Sequence, residues 1–211
     1  MFTGDEYGEG GAFIAEALRV QKVKASFFFT GRFYRNTAFQ SIISLLKKEG
    51  HYLGAHSDQH LLYADWSKRD SLLVSEEEFK KDLDNNYSVM KNFGISRSSA
   101  SLFLPSYECY NDSIVSWSRK LGLHLINFTP GTLSHTDYTE ARARNYRSSA
   151  VIWNSIIEYE QKSSSHLNGF ILLMHIGAGP GRRDKFFHQL PALLQWLRIK
   201  GYKPVRINEL L

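Results

Sequence analysis

Val23-Lys24-Ala25-Ser26-Phe27-Phe28-Phe29-Thr30-Gly31 is a short run, aromatic at its centre and closed by glycine. An apolar run of this length without polar alternation reads as a strand buried on both faces, as in a parallel sheet covered by helices. The sequence on either side agrees. Upstream, Phe13, Ile14, Ala17 and Leu18 within Gly11 to Val20 share one helical face. Downstream, Asn36 is placed to cap a helix carrying Phe39, Ile42, Ile43, Leu45 and Leu46, and Gly50 stands where a helix ends in the left-handed region. Tyr52-Leu53-Gly54-Ala55 then reads as a brief strand that delivers His56.

The alternation continues to the C-terminus. Ser75-Glu76-Glu77-Glu78 is a capping box, followed by Phe79, Leu83, Tyr87 and Met90 on one face and a stop at Gly94. A strand is expected over Ser101 to Leu104, a helix over Asp112 to Lys120, a strand over Leu123 to Phe128 and a helix over Ala150 to Tyr159. The strongest apolar strand is Gly169 to His175, followed by a helix from about Asp184 to Lys200, Gly201 as its stop, and a terminal strand near Pro204 to Ile207. Strictly alternating strands and helices predict an α/β fold, a parallel sheet with crossover helices, either open or closed into a barrel. Only Met1-Phe2-Thr3 precedes the Gly/acid-rich turn Gly4 to Gly11. This reads as a first strand truncated at its start, with any export signal lost along with it.

Composition narrows the class. The 211 residues, 43% hydrophobic and 14% aromatic, suffice for one core and are read as a single domain, 1–211; they exclude a disordered chain. No apolar run approaches the roughly 18 residues of a spanning helix. The one cysteine, Cys109, excludes an internal disulfide framework and a paired-cysteine zinc site. The net charge of +5 comes from dispersed basic residues interrupted by acids such as Glu76 to Glu78, so nucleic acid is not an expected partner.

In parallel α/β architectures ligands bind at the carboxyl ends of the strands. Three polar groups fall there: Asp5-Glu6, His56 with His60, and His175. His56 and His60, four apart in His-Ser-Asp-Gln-His, can share one face of a helical turn and hold a divalent ion, or be an exposed pair on a turn. Asp5 and Glu6 would add oxygen ligands to such a shell, or be a solvated acidic turn. His175, directly after Phe170-Ile171-Leu172-Leu173-Met174, is placed to donate a proton to a leaving group, or to serve as a hydrogen-bonded core histidine. The remaining histidines, His51, His124, His135, His166 and His188, read as structural or surface, with His51 near the loop of His56. The aromatics near these loops, Phe33, Tyr34, Tyr63, Trp66, Tyr107 and Tyr110, can form a groove for sugar rings or be ordinary core and surface aromatics. Gly177-Ala178-Gly179-Pro180-Gly181-Arg182-Arg183 lacks the Gly-Lys-Ser/Thr ending of a phosphate loop and reads as a flexible rim loop.

In this order the acidic turn, Val23 to Gly31, Gly50-His51-Tyr52-Leu53-Gly54-Ala55-His56-Ser57-Asp58-Gln59-His60 and Leu172-Leu173-Met174-His175 resemble the polysaccharide deacetylases with the NodB homology domain, carbohydrate esterase family four. The resemblance runs from Phe2 to Leu211 and is most specific at His56 and His60, which match the family's metal-binding His-Ser/Thr-x-x-His. It implies a distorted barrel of mostly parallel strands and a divalent metal, zinc first with cobalt or nickel as substitutes. It further implies a metal-bound water attacking the acetyl carbonyl, a carboxylate base, and His175 as general acid. The family's Thr-Phe-Asp-Asp-Gly corresponds to Thr3-Gly4-Asp5-Glu6-Tyr7. One frame makes Asp5 the base and Glu6 the metal ligand beside His56 and His60. The other makes Asp5 the carboxylate ligand and leaves Gly4 at the base position.

Two motifs depart from the family. Arg-Pro-Pro-Tyr becomes Leu104-Pro105-Ser106-Tyr107, followed by Glu108, so the arginine that orients the base is absent. Where the fourth motif supplies an Asp and a Trp, the chain reads Asn127-Phe128-Thr129-Pro130-Gly131-Thr132, which leaves the partner of His175 unassigned. These replacements resemble those of deacetylase-like domains from gut and environmental Bacteroidetes. The expected function is removal of O- or N-linked acetyl groups from a polysaccharide, with Tyr107, Glu108 and Trp66 as substrate contacts. The alternative is a catalytically inactive carbohydrate-binding domain on the same fold; a hydrolase of a non-sugar amide is a further one. The resemblance implies a periplasmic or extracellular location.

Overall fold

The computed structural model describes residues 1–211. Strands β1 (Phe2–Gly4), β2 (Ser26–Phe29), β3 (Tyr52–Ala55), β4 (Leu102–Phe103), β5 (His124–Leu125) and β6 (Met174–His175) form a six-stranded sheet in the order β5-β4-β3-β2-β1-β6. The pairs β1–β6, β3–β4 and β4–β5 are parallel. The helices are α1 (Gly11–Val20), α2 (Gly31–Arg35), α3 (Gln40–Lys48), α4 (Glu76–Met90), α5 (Asp112–Lys120), α6 (Ser149–Lys162), α7 (Leu190–Ile199) and α8 (Ile207–Leu210). This is the parallel α/β class that the alternation predicts. The chain divides into two compact units, 27–127 and the pair of segments 1–26 and 128–211.

Within 27–127 the core is aromatic. Phe27, Phe28 and Phe29 are all fully buried, so both faces of β2 are covered as the unbroken apolar run requires. Phe29 stacks on Phe33 at 4.2 Å, and Phe33 on Phe39 at 4.3 Å. Gly54 permits this packing, because a Cβ there would lie 2.5 Å from the Phe28 ring. The capping box at α4 forms: Ser75 N–H donates to Glu78 at 2.7 Å, and Glu78 N–H to the Ser75 hydroxyl at 3.2 Å. The buried stripe of α4 contains the expected Phe79, Leu83, Tyr87 and Met90, and also two polar residues, Asp82 and Asn86.

The other unit packs α1 through Ile14 and Leu18, and α7 through Leu190, Leu193 and Leu197, around β1 and β6. Register pairs Phe2 with Met174 and Thr3 with His175. The long strand expected from Gly169 contracts to Met174–His175 because β1 offers register partners only to those two residues. The helix expected from Asp184 begins as a 3-10 turn at Phe186–Gln189, and α7 follows with proline in its first turn. The expected terminal strand does not form. Pro204 has no N–H to give a ladder, Ile207 N–H donates to the Ser26 hydroxyl at 2.9 Å, and the chain ends in α8.

Candidate functional site

His56 leaves the end of β3 almost wholly buried, and two hydrogen bonds fix its place. Its N–H donates to Asn86 Oδ1 at 3.1 Å. Its Nδ1 lies 2.9 Å from the Leu104 carbonyl. A carbonyl only accepts, so Nδ1 carries the proton of the neutral ring and Nε2 carries the lone pair that can ligate a metal. Leu104 stands where the family resemblance calls for an arginine, and what it contributes is its backbone oxygen. The chain then turns sharply, with Ser57 at φ 72° and His60 at φ 56°. The turn brings the His60 ring to 5.1 Å from that of His56.

A run of aromatic rings continues outward from this pair. Tyr107 lies 4.3 Å from the His60 ring, and Trp66 meets Tyr107 edge-on at 5.4 Å and 89°. Trp66 is 60% exposed yet its segment is ordered by pairing. Ala64 bridges Leu72, Asp65 N–H donates to Ser71 O, and Leu73 N–H donates to Tyr63 O, each at 2.9 Å for the two hydrogen bonds. Tyr107 and Glu108 both take positive φ, 58° and 54°, which bulky residues rarely adopt. Asn127 Nδ2 donates to the Glu108 carbonyl at 3.0 Å and braces that turn.

In the unit holding β1 and β6, His175 has a carboxylate partner that sequence reasoning missed. Its Nδ1 lies 2.6 Å from Asp137 Oδ1, and its own N–H donates to Asp137 Oδ2 at 3.0 Å. The carboxylate is an acceptor, so Nδ1–H donates to it, and Nε2 is the nitrogen that can exchange a proton. Asp137 is 3% exposed at the end of the 3-10 turn Ser134–Thr136. Tyr138 lies against the His175 ring at 4.5 Å. His135 stacks on Phe128 at 4.8 Å, and burial together with the charge of His175 holds its pKa below the usual 6.5.

The segment after His175 is anchored, contrary to the expected flexible rim. Arg182 is fully buried and donates to the carbonyls of Asp184 at 2.6 Å, Thr139 at 3.0 Å and Arg147 at 2.9 Å. It thereby ties the stretch just after Asp137 to the stretch just after His175. Glu9 braces the same segment, accepting from Ala178 N–H at 2.9 Å and from Lys185 at 2.6 Å. Burial opposes the charge on Glu9, but these hydrogen bonds outweigh it and hold the carboxyl below its ordinary range.

Asp5 is half-buried and Glu6 exposed, in the bend after β1. No three His, Cys, Asp or Glu side chains converge as a ready metal cage anywhere in the chain. The two imidazoles fit two positions of a nitrogen-and-oxygen shell, and the tautomer forced on His56 suits a ligand.

A family model described as polysaccharide deacetylase matches residues 5–126. No curated protein matches the sequence. Among solved structures the chain is similar to a CE4 family pseudoenzyme from Bacillus anthracis, at 19% identity and a TM-score of 0.73, covering 99% of this chain and 64% of that one. It is similar to a peptidoglycan N-acetylglucosamine deacetylase at 18% identity and a TM-score of 0.75, covering 100% and 86%. It is also similar to a family 4 acetyl xylan esterase from Clostridium thermocellum, in complex with a cobalt ion, at 19% identity and a TM-score of 0.72, covering 99% and 88%. The chain thus spans less than two thirds of the pseudoenzyme's length, and likenesses at such identities establish the fold alone.

Proposed function

The chain belongs to the polysaccharide deacetylase family, and on that premise we propose that it hydrolyses acetyl groups, O- or N-linked, from a carbohydrate polymer outside the cytoplasm. The observation that carries this reading is the pairing of His175 with Asp137 at 2.6 Å. A buried carboxylate that holds Nδ1–H fixes the tautomer and stabilises the imidazolium. His175 would give its Nε2 proton to the departing sugar oxygen or nitrogen. Tyr138, against its ring, would limit solvent access on that side.

His56 through Nε2, together with His60, would hold a divalent ion, zinc first and cobalt or nickel as substitutes. That ion would supply Lewis acidity toward the acetyl carbonyl. Asp5 would serve as the base and Glu6 as the oxygen ligand in the first frame, with Asp5 as ligand in the other. Tyr107 and Trp66 offer flat faces to pyranose rings, and Glu108 a polar contact beside them.

A carbohydrate-binding domain without catalysis is the second reading, favoured by Leu104 in place of the motif arginine. The two separate on one experiment. Acetate release is measured from acetylated xylan, chitin oligosaccharides and peptidoglycan fragments after chelation and again with zinc restored. Zinc-dependent release that His175→Ala abolishes supports the hydrolase. Glycan affinity without release from any substrate selects the binding domain.

A further inference from the structure

The two polar residues on the buried stripe of α4 serve one segment. Asp82 is 5% exposed and Asn86 fully buried. A carboxylate on the inward face of a helix persists only when hydrogen bonds satisfy it. Asp82 Oδ2 accepts from Asp58 N–H at 3.0 Å and from the Tyr63 hydroxyl at 2.6 Å, and Oδ1 accepts from Gln59 N–H at 3.1 Å. One turn further along α4, Asn86 Oδ1 accepts from His56 N–H at 3.1 Å, and Nδ2 donates to the Phe29 carbonyl at 3.4 Å. The backbone N–H groups of His56, Asp58 and Gln59 therefore all end on α4.

This segment cannot hold its shape unaided. Ser57 and His60 both lie at positive φ, a conformation that survives in non-glycine residues only where surrounding contacts over-determine it. The second wall of the segment is α2: Gly31 N–H donates to Ser57 O at 3.1 Å, and Arg35 pairs with Asp58 at 2.7 Å. Arg35 thus neutralises Asp58, and Asp82 remains to collect three donors that no neutral side chain of its size could accept together.

We propose that Asp82 is a positioning residue for metal binding. It sets the backbone of residues 56–60 so that the imidazoles of His56 and His60 are presented together, and Asn86 fixes the His56 end. The inference rests on the reading above in which these two histidines hold a divalent ion.

The test is zinc affinity of the full chain, measured by competition with a chromogenic chelator. Near-ultraviolet circular dichroism and thermal unfolding report the fold alongside. Asp82→Asn offers one acceptor oxygen instead of two and turns an amide N–H toward a backbone N–H. Zinc binding is expected to weaken roughly 10–100-fold, the range for loss of a group that orients metal ligands. Tyr87→Phe is the control. It removes another buried hydrogen bond of α4, from the Tyr87 hydroxyl to Ala100 O at 2.6 Å, and leaves the His56 segment untouched. Its zinc affinity is expected to match the wild type.

If Asp82→Asn does not fold, Tyr63→Phe removes only the hydroxyl on Oδ2 and is expected to weaken zinc binding about threefold or more. Unchanged affinity in the folded variant overturns the positioning role and leaves the metal reading standing. Equal losses in Asp82→Asn and Tyr87→Phe overturn it too, since helix stability would then explain both. A wild-type chain that binds no zinc overturns the metal reading and this inference with it.

Discussion

Asp137→Asn is the sharpest perturbation of the proposed acid. In the wild type both carboxylate oxygens face donors, Nδ1–H at 2.6 Å and the His175 backbone N–H at 3.0 Å. An asparagine meets both only by turning its amide nitrogen toward Nδ1 and its oxygen toward the backbone N–H. That arrangement makes Nδ1 an acceptor, forces the proton of the neutral ring onto Nε2, and removes the anion that stabilises imidazolium. Coulomb attraction between unit charges about 4 Å apart at an effective dielectric of 20 is about 4 kcal/mol. His175 is 21% exposed at its side chain, so solvent screening reduces this to about 3 kcal/mol. At about 1.4 kcal/mol per decade, the acid step should slow on the order of 100-fold. The expected signature is kcat for acetate release down roughly 100-fold with KM little changed, because Asp137 is too buried to touch substrate. Nitrogen NMR of the His175 ring supplies a readout independent of turnover, with the protonated nitrogen moving from Nδ1 to Nε2. A variant that keeps kcat within threefold and the wild-type tautomer would refute the assignment.

Three other substitutions probe the surroundings. Arg182→Met leaves three carbonyls, one buried and two part-buried, without this donor and is expected to cost about 3 kcal/mol in urea unfolding, against about 1 kcal/mol or less if the anchor were incidental. His135 is held below its ordinary pKa by burial and by His175, so below pH 6.5 the unfolded chain binds its proton more readily than the folded one. Stability present above that pH is lost as pH falls through the lowered value. His135→Gln should flatten the decline in Tm over that window, and an unchanged slope would remove His135 from the account. Trp66→Ala, at a side chain 60% exposed, should leave unfolding unchanged while raising KM for acetylated oligosaccharides roughly 3–10-fold and sparing a small acetyl ester. Equal effects on both substrates would refute a sugar-stacking role.

What was legible in the sequence follows the physics of each element. The Phe27 to Phe29 run, the Ser75 capping box and the Gly50 stop are local signals with local causes, and all three appear where they are expected. Strand lengths were not legible, because a ladder needs a partner: Phe170 to Leu173 are apolar enough for a strand but lie beyond what β1 can pair. The absence of a terminal strand has the same origin. The histidine pair was readable from its spacing, yet the proton on His56 Nδ1 is set by the Leu104 carbonyl, and a backbone oxygen leaves no mark in a sequence.

Asp137 went unread because it lies 38 residues before His175, in a stretch of turns without helical or strand periodicity to say which way it points. The family resemblance directs attention to Asn127–Thr132, and the carboxylate that meets His175 lies ten residues after Asn127. Asp82 and Asn86 differ, for their signal was present. With Phe79, Leu83, Tyr87 and Met90 fixing the inward face of α4, positions 82 and 86 fall on that face by the 3.6-residue period alone. A surface helix gains nothing from a carboxylate and an amide turned inward, so their placement implies backbone donors waiting opposite. The segment that supplies those donors is the one carrying His56 and His60. Amphipathic pattern, usually read for what it buries, here also points to what it holds in place.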